Sequence, residues 1–356
     1  MKHRRLVIIP MLLLMLPLVM SGVTIEASAQ TQPFHEVAVS VPSMAGIVRD
    51  IGGDLVTVTT LLNQETNPHS FEMNLEILAA ANAADLLVLT GHFQWEKDLA
   101  EQTATPFITF HSEGAWENYE DYGASYSPLP GDIEIHDEDE GHDHDGNPHA
   151  YWLLPRNALA IVNATRSALK MLNSTLTESW DENFDAFVEK MNALQSLIAV
   201  LDEEHGFSSM RAIVVAPAEA YVAEAFGIQC DAVLQVEEIT LSGAKLLEVQ
   251  NALRNGSVSL ILGSDIAQVQ AGGEFAYQIQ ADYGGTLIWW KTVFYEHLDY
   301  FSMMSYNLGA LISGIEGRSG AIVSDTVNLG LIALASVLGL IVTIESVLLI
   351  QRARAE

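Results

Sequence analysis

Apolar residues gather in short runs separated by stretches with helical spacing. Residues 37–41 form one such run, 45–51 carry a helical pattern that ends at Gly52-Gly53, and 55–62 form a second run. Helical spacing returns over 75–84 and leads into 86–91, Leu-Leu-Val-Leu-Thr-Gly, whose nearly unbroken hydrophobicity suits a strand buried on both faces. Strands that alternate with helices pair in parallel, so an α/β lobe is expected. The same alternation resumes after residue 210, with strands at 212–215, 260–262 and 287–290, a helix over 219–226 stopped by Gly227, and another over 245–254. Between the two sets, Phe184, Phe187, Met191, Leu194, Leu197, Ile198 and Leu201 recur at intervals of three and four or near them. That spacing predicts one long amphipathic helix over 179–204, either a stiff strut between two lobes or a helix packed wholly within one.

Both ends carry a different pattern. Lys2, His3, Arg4 and Arg5 precede an apolar stretch over 6–20, and Ala27-Ser28-Ala29 supplies a small-residue cleavage site, so residues 1–29 read as a secretory signal peptide. Residues 329–350 are almost wholly apolar apart from Glu345, and Arg352 and Arg354 follow. That reads as a membrane span with a cytoplasmic tail. The expected organisation is a signal peptide (1–29), an N-terminal α/β lobe (30–178), a linking helix (179–204), a C-terminal α/β lobe (205–326), a transmembrane helix (327–350) and a tail (351–356). An extracytoplasmic location, anchored through that helix, also fits the sequons at Asn163, Asn173 and Asn255, which would be glycosylation acceptors outside the cell.

Charge and cysteine content remove several functions. Asp plus Glu number 46 against 16 Lys plus Arg, a formal charge of -30, which is incompatible with a surface built for nucleic acid. A single cysteine, Cys230, excludes an intramolecular disulfide framework, a four-cysteine zinc site and an iron–sulfur cluster, and is most simply a buried apolar residue. No His-Glu-x-x-His, Gly-x-Ser-x-Gly or phosphate-cradling glycine loop is present, so an enzyme is not expected.

Histidines carry the candidate chemistry. His136, His142 and His144 lie in an acid-rich tract over 132–147 that can build no core but can collect borderline metal ions without fixed geometry. His69 and His149 share another signature: each follows Asn-Pro directly, as Asn67-Pro68-His69 and Asn147-Pro148-His149. A stiff approach of this kind suits a ligand that must present a nitrogen about 2.0–2.1 Å from an ion. Gly91-His92-Phe93-Gln94-Trp95-Glu96 combines an imidazole, an indole and a carboxylate at a strand end, as a cleft would need. Its simpler reading is a strand-to-helix turn with Trp95 packed in the first lobe. Glu237-Glu238 reads as acidic surface or a helix-dipole contact, and Trp289-Trp290 as core.

Taken in order, several segments are similar to one family: Gly53-Asp54-Leu55-Val56-Thr57-Val58, Asn67-Pro68-His69-Ser70-Phe71-Glu72, Ala84-Asp85-Leu86-Leu87-Val88, the stretch 148–158, the stretch 220–227 and the stretch 300–308. Over residues 34–315 the chain resembles the zinc- and manganese-specific solute-binding proteins of metal-importing ABC transporters. The resemblance implies two Rossmann-like lobes with parallel sheets joined by a long rigid helix, zinc (alternatively manganese) held between them, and an ABC permease as partner. It carries His69 over as the first ligand and His149 as the second. The third and fourth positions fall on Ala216 and near Lys291, and a lysine ammonium has no lone pair to offer. Three arrangements follow: Glu219 and Asp265 complete the site, water or His144 completes a two-histidine half-site, or the lobes keep the fold without tight binding. In the last case the chain would act as a surface adhesin or partner-binding protein.

Overall fold

A computed structural model describes residues 35–62, 67–110, 119–131, 146–236, 239–241, 243–295 and 299–318. In the first lobe, β1 (His35–Val39) leads through α1 (Pro42–Gly52) to β2 (Val56–Thr60), and α1 starts on a proline, whose missing N–H costs a first turn nothing. α2 (Leu75–Ala83) begins where the Asn74 side chain accepts the N–H groups of Glu76 and Ile77, both at 3.0 Å, and it returns the chain to β3 (Leu86–Val88). α3 (Gln94–Gln102) leads to β4 (Phe107–Ile108). The strands form a parallel sheet in the order β2-β1-β3-β4. α4 (Pro155–Leu172) packs on α1.

α5 (Thr177–His205) is 29 residues long, about 43 Å at 1.5 Å per residue. It buries Trp180, Phe187, Met191, Leu194 and Ile198, and Gly206 closes it in the left-handed conformation at φ 72°. The second lobe continues with β5 (Arg211–Val214), α6 (Ala218–Ala225), β6 (Gln229–Val233), an antiparallel pair β7 (Gln235–Val236) and β8 (Ile239–Thr240), α7 (Gly243–Asn255), β9 (Leu260–Ser264), α8 (Asp265–Gln268), α9 (Ala271–Tyr283), β10 (Thr286–Trp290) and α10 (Tyr300–Arg318). Its main sheet is parallel in the order β10-β9-β5-β6. α10 lies on β10, and α5 touches α1 and α4 on the first lobe as well as α10 on the second.

The lobes share a core. Val39 and Leu87 from the first sheet belong to the same contiguous apolar cluster as Leu262 and Trp290 from the second and Tyr300 from α10, and a smaller cluster around Ile213, Val249, Ile261 and Ile279 belongs to the second lobe alone. Polar bonds cross between the lobes too. Tyr300 donates its hydroxyl to the Leu153 carbonyl at 2.7 Å, and the Ser43 N–H donates to the Val293 carbonyl at 3.0 Å. A shared, close-packed apolar interface resists the relative motion that a small polar one permits.

One expectation is overturned. Among the described residues no helix is long and apolar enough to cross a membrane, so two α/β lobes with parallel sheets stand and the expected C-terminal transmembrane helix has no support. Residues 1–34 and 319–356, with the expected signal peptide and span, lie outside the described residues, as do Glu237 and Glu238.

Candidate metal centre

Parallel α/β sheets collect ligands beyond the carboxyl ends of their strands, and three loops of the first sheet place a histidine there. After β2, Asn67 accepts the His69 N–H on its side-chain oxygen at 3.1 Å, opening a one-turn helix over Pro68–Ser70. Before α4, Asn147 does the same for the His149 N–H at 3.0 Å. The two Asn-Pro-His turns therefore use one device, an Asn side chain that imitates a backbone turn and fixes the imidazole two residues on.

His92 arrives differently. Gly91 leaves β3 at φ +75°, and a Cβ there would lie 2.1 Å from the Thr109 hydroxyl oxygen, so glycine is required. Glu96, buried in the first turn of α3, accepts the His92 N–H at 3.0 Å, the Phe93 N–H at 3.1 Å, and the N–H and hydroxyl of Thr90 at 2.8 and 2.6 Å. Burial raises the pKa of its carboxyl above the ordinary value, against the opposing hydrogen bonds from Ser40, Thr90 and Phe93. The turn reading of 91–96 holds, with Trp95 buried, and the same turn delivers His92.

The three rings converge. One nitrogen from each of His69, His92 and His149 lies within 4.8 Å of the other two, with ring centroids separated by 4.9, 5.2 and 4.5 Å. A tetrahedral zinc ion spaces its donor nitrogens by about 3.3 Å, a difference that side-chain rotation can absorb. His149 is the most constrained. Its Nδ1 sits 3.1 Å from the Asn147 side-chain oxygen, and because that oxygen can only accept, Nδ1 carries the proton and Nε2 keeps its lone pair. Nε2 is sealed from solvent and has no hydrogen-bond partner among the described residues. Burial, followed by the nearby His69, pushes the His149 pKa well below the ordinary histidine value, so its ring stays neutral. Ala150, next in the chain, is the one non-glycine among the described residues with positive φ, at 58°.

Asn147 also ties this ligand to the second lobe. Its side-chain NH₂ donates to the Pro217 carbonyl at 2.8 Å, and the Tyr221 hydroxyl donates to its carbonyl. A cavity of about 30 Å³ lies there, bounded on the first lobe by Pro68, His69, Phe93, His149, Ala150 and Trp152 and on the second by Ala216, Pro217, Ala218, Ile266, Gln270 and Val293.

The remaining nominated residues stand apart from the three rings. Glu219 is fully buried, accepts the Ala216 N–H at 2.9 Å and the Ser264 hydroxyl at 2.6 Å, and has its pKa pushed up to about 8 by burial. Asp265 accepts from Ile266, Thr292, Val293 and Phe294 at 2.8–3.2 Å. These two acids hold the backbone of the cavity wall. Lys291 is bound through its backbone to the Asn307 side chain and does not line the cavity. His136, His142 and His144 lie outside the described residues. His92, which the sequence offers in a segment suited to a cleft or, more simply, to a turn, is not among the ligands the sequence nominates, and its signal is its place just beyond the carboxyl end of a buried strand.

Fold and centre together define a two-lobed α/β protein with a cluster of imidazoles at the lobe junction. Residues 37–314 match the family model of ZnuA, the periplasmic component A of a zinc-uptake complex, and the chain belongs to that family. The zinc-binding lipoprotein AdcA of Streptococcus pneumoniae is 26% identical over 154 residues, 42% of this chain but only 29% of that relative. The iron-binding protein YfeA of Yersinia pestis is 24% identical over 159 residues, 42% of this chain and 43% of its own. The fold is shared with Zn(II)-bound AdcAII of S. pneumoniae (E280Q variant; TM-score 0.64, 19% identity, 80% of this chain and 99% of that one) and with Mn2+-bound FpvC of Pseudomonas aeruginosa (TM-score 0.62, 19% identity, 80% and 99%). The family is a transport component, so the chain is a binding protein and not an enzyme. The neighbours carry zinc or manganese, in keeping with the expected zinc and its alternative. Neither cell adhesion, glycosylation nor anchoring through a C-terminal helix finds support in these relatives. Asn163 of the first sequon is half-buried and accepts from the Arg166 guanidinium at 2.6 Å.

Proposed function

We propose that this protein captures zinc outside the cytoplasm at His69, His92 and His149 and hands it to the permease of an ABC importer. The observation that carries this reading is the convergence of three imidazoles, one ring nitrogen of each within 4.8 Å of the other two, with the Nε2 of His149 sealed and without a hydrogen-bond partner among the described residues. A buried polar atom left without a partner costs about 1–3 kcal/mol, which a metal bond would recover. Three neutral nitrogens suit zinc far better than manganese, an ion that prefers oxygen donors. Residues 1–29 serve as the export signal, and the histidines at 136, 142 and 144 collect ions weakly. This assignment replaces Glu219 and Asp265 with His92.

Calorimetric titration with zinc tests the reading. One ion is expected to bind per chain, more tightly than manganese, and with affinity falling as pH drops through the general histidine range near about 6.5, since metal binding needs neutral imidazole. A stoichiometry of zero, or affinity no better than that of a peptide covering 132–147, would rule the centre out.

A further inference from the structure

The residue that aims His149 is itself held by the second lobe. Asn147 is fully buried, and its side-chain oxygen accepts the His149 N–H at 3.0 Å and faces His149 Nδ1 at 3.1 Å. Two groups one helical turn apart grip it from across the lobe junction. The Pro217 carbonyl, just before α6, accepts from its side-chain NH₂ at 2.8 Å, and the Tyr221 hydroxyl, on α6, donates to its backbone carbonyl. The same hydroxyl accepts the Ser127 N–H at 3.0 Å, while the Asn147 N–H donates to the Ser127 carbonyl at 2.8 Å. Tyr221 thus closes a ring of bonds with Ser127 and Asn147, two residues distant in the chain. Building on the metal-capture reading, we infer that Tyr221 is a positioning residue for the metal centre: its hydroxyl sets Asn147, and Asn147 sets the tautomer and direction of the His149 ring.

The chemistry of a carboxamide makes this control necessary. Only one of its two ends accepts a hydrogen bond; turned about, Asn147 would offer His149 Nδ1 an NH₂ group and favour the tautomer that carries its proton on Nε2. That tautomer has no Nε2 lone pair for a metal. The bond from the NH₂ end to the Pro217 carbonyl opposes the flip, and it holds only while the Asn147 backbone keeps its place against α6, which the Tyr221 hydroxyl secures. Burial pushes the Tyr221 pKa well above the ordinary tyrosine value, so the hydroxyl keeps the proton that it donates.

A double-mutant cycle separates this role from plain packing. Tyr221→Phe, which deletes only the hydroxyl, is made in the full-length wild type and in Asn147→Ala, and zinc affinity is read by calorimetry. In the wild-type background affinity is expected to fall about 3–10-fold, one step weaker than direct loss of a group that orients a ligand, and in the Asn147→Ala background by less than about twofold. Thermal unfolding should shift downwards in both backgrounds, because the bonds to the Asn147 and Ser127 backbone exist in each. In the metal-free protein the two ring-nitrogen NMR shifts of His149 should lie far apart in the wild type, as for a single tautomer, and draw together in Tyr221→Phe. Ring shifts that do not move, or equal fold-losses of affinity in the two backgrounds, would overturn the inference. Shifts that draw together in a chain whose wild type binds no zinc would sink metal capture alone and still support the hold of Tyr221 on the His149 ring.

Discussion

The two walls of the cleft solve opposite problems. On the first lobe, short local turns hold three imidazoles with their nitrogens facing one point, each turn fixed by a neighbouring Asn or Glu side chain. On the second, the acids that a sequence reader would nominate as ligands are consumed in fastening backbone, and the surface shown to the cavity is apolar. A carboxylate near a site is therefore not a ligand until its existing donors are counted. Glu219 and Asp265 have theirs supplied by the protein, whereas His149 Nε2 has no partner among the described residues.

Replacing groups on one wall at a time tests the contrast. His69→Ala with His149→Ala should lower zinc affinity about 1000-fold or more, some 4 kcal/mol at 1.4 kcal/mol per tenfold, while Asp265→Asn leaves affinity within about threefold. Equal losses on the two walls, read by calorimetry, would erase the distinction. Asn147→Ala removes the acceptor that sets the His149 tautomer and the bond to Pro217, so affinity should fall about 10–100-fold. Thermal unfolding should show about 1–3 kcal/mol of lost stability in the same variant.

Glu219 gives a pH signature on the other wall. Its folded pKa of about 8 lies above its unfolded value near 4.5, so the folded chain binds a proton that the unfolded chain has already released between those limits. Its contribution to stability is full below about pH 4.5 and is lost as pH rises towards 8. The stability difference between Glu219→Gln and wild type should therefore shift in favour of the variant across that window, as read by chemical denaturation. A difference that is flat with pH would show Glu219 to be ordinarily ionised. The smallest effect is expected at Ala150→Gly, which relieves a positive φ beside His149 and should raise stability by about 1 kcal/mol or less. If stability falls instead, the buried methyl group matters more than the backbone strain.

Much of the scaffold was legible from hydrophobic pattern. β1, α1, β2, α2 and β3 in the first lobe, and β5, α6, α7, β9 and β10 in the second, fall within about three residues of the runs that predict them, and α5 follows its spacing of three and four closely. β4 escaped because two residues make no period. α9 escaped because Gly272 and Gly273 weaken its helical signal at the start, and α10 because Gly309, Gly314 and Gly317 interrupt an otherwise apolar stretch. At the site, His69 and His149 were visible as a repeated Asn-Pro-His turn, since an Asx turn is written in three neighbouring residues. His92 was not, because nothing local separates a histidine that caps a strand from one that joins a cluster.

Local chemistry alone determined the alternating α/β elements, the long amphipathic helix, the two matched turns and the acidic composition, because propensity, period and turn geometry act over a few residues. Only the folded chain decided which imidazole became the third of the set, which acids were already engaged, and that the lobes share one apolar core. Those outcomes depend on distances between positions far apart in the chain, such as His69 and His149 or Glu219 and Ser264, and no short-range pattern encodes them.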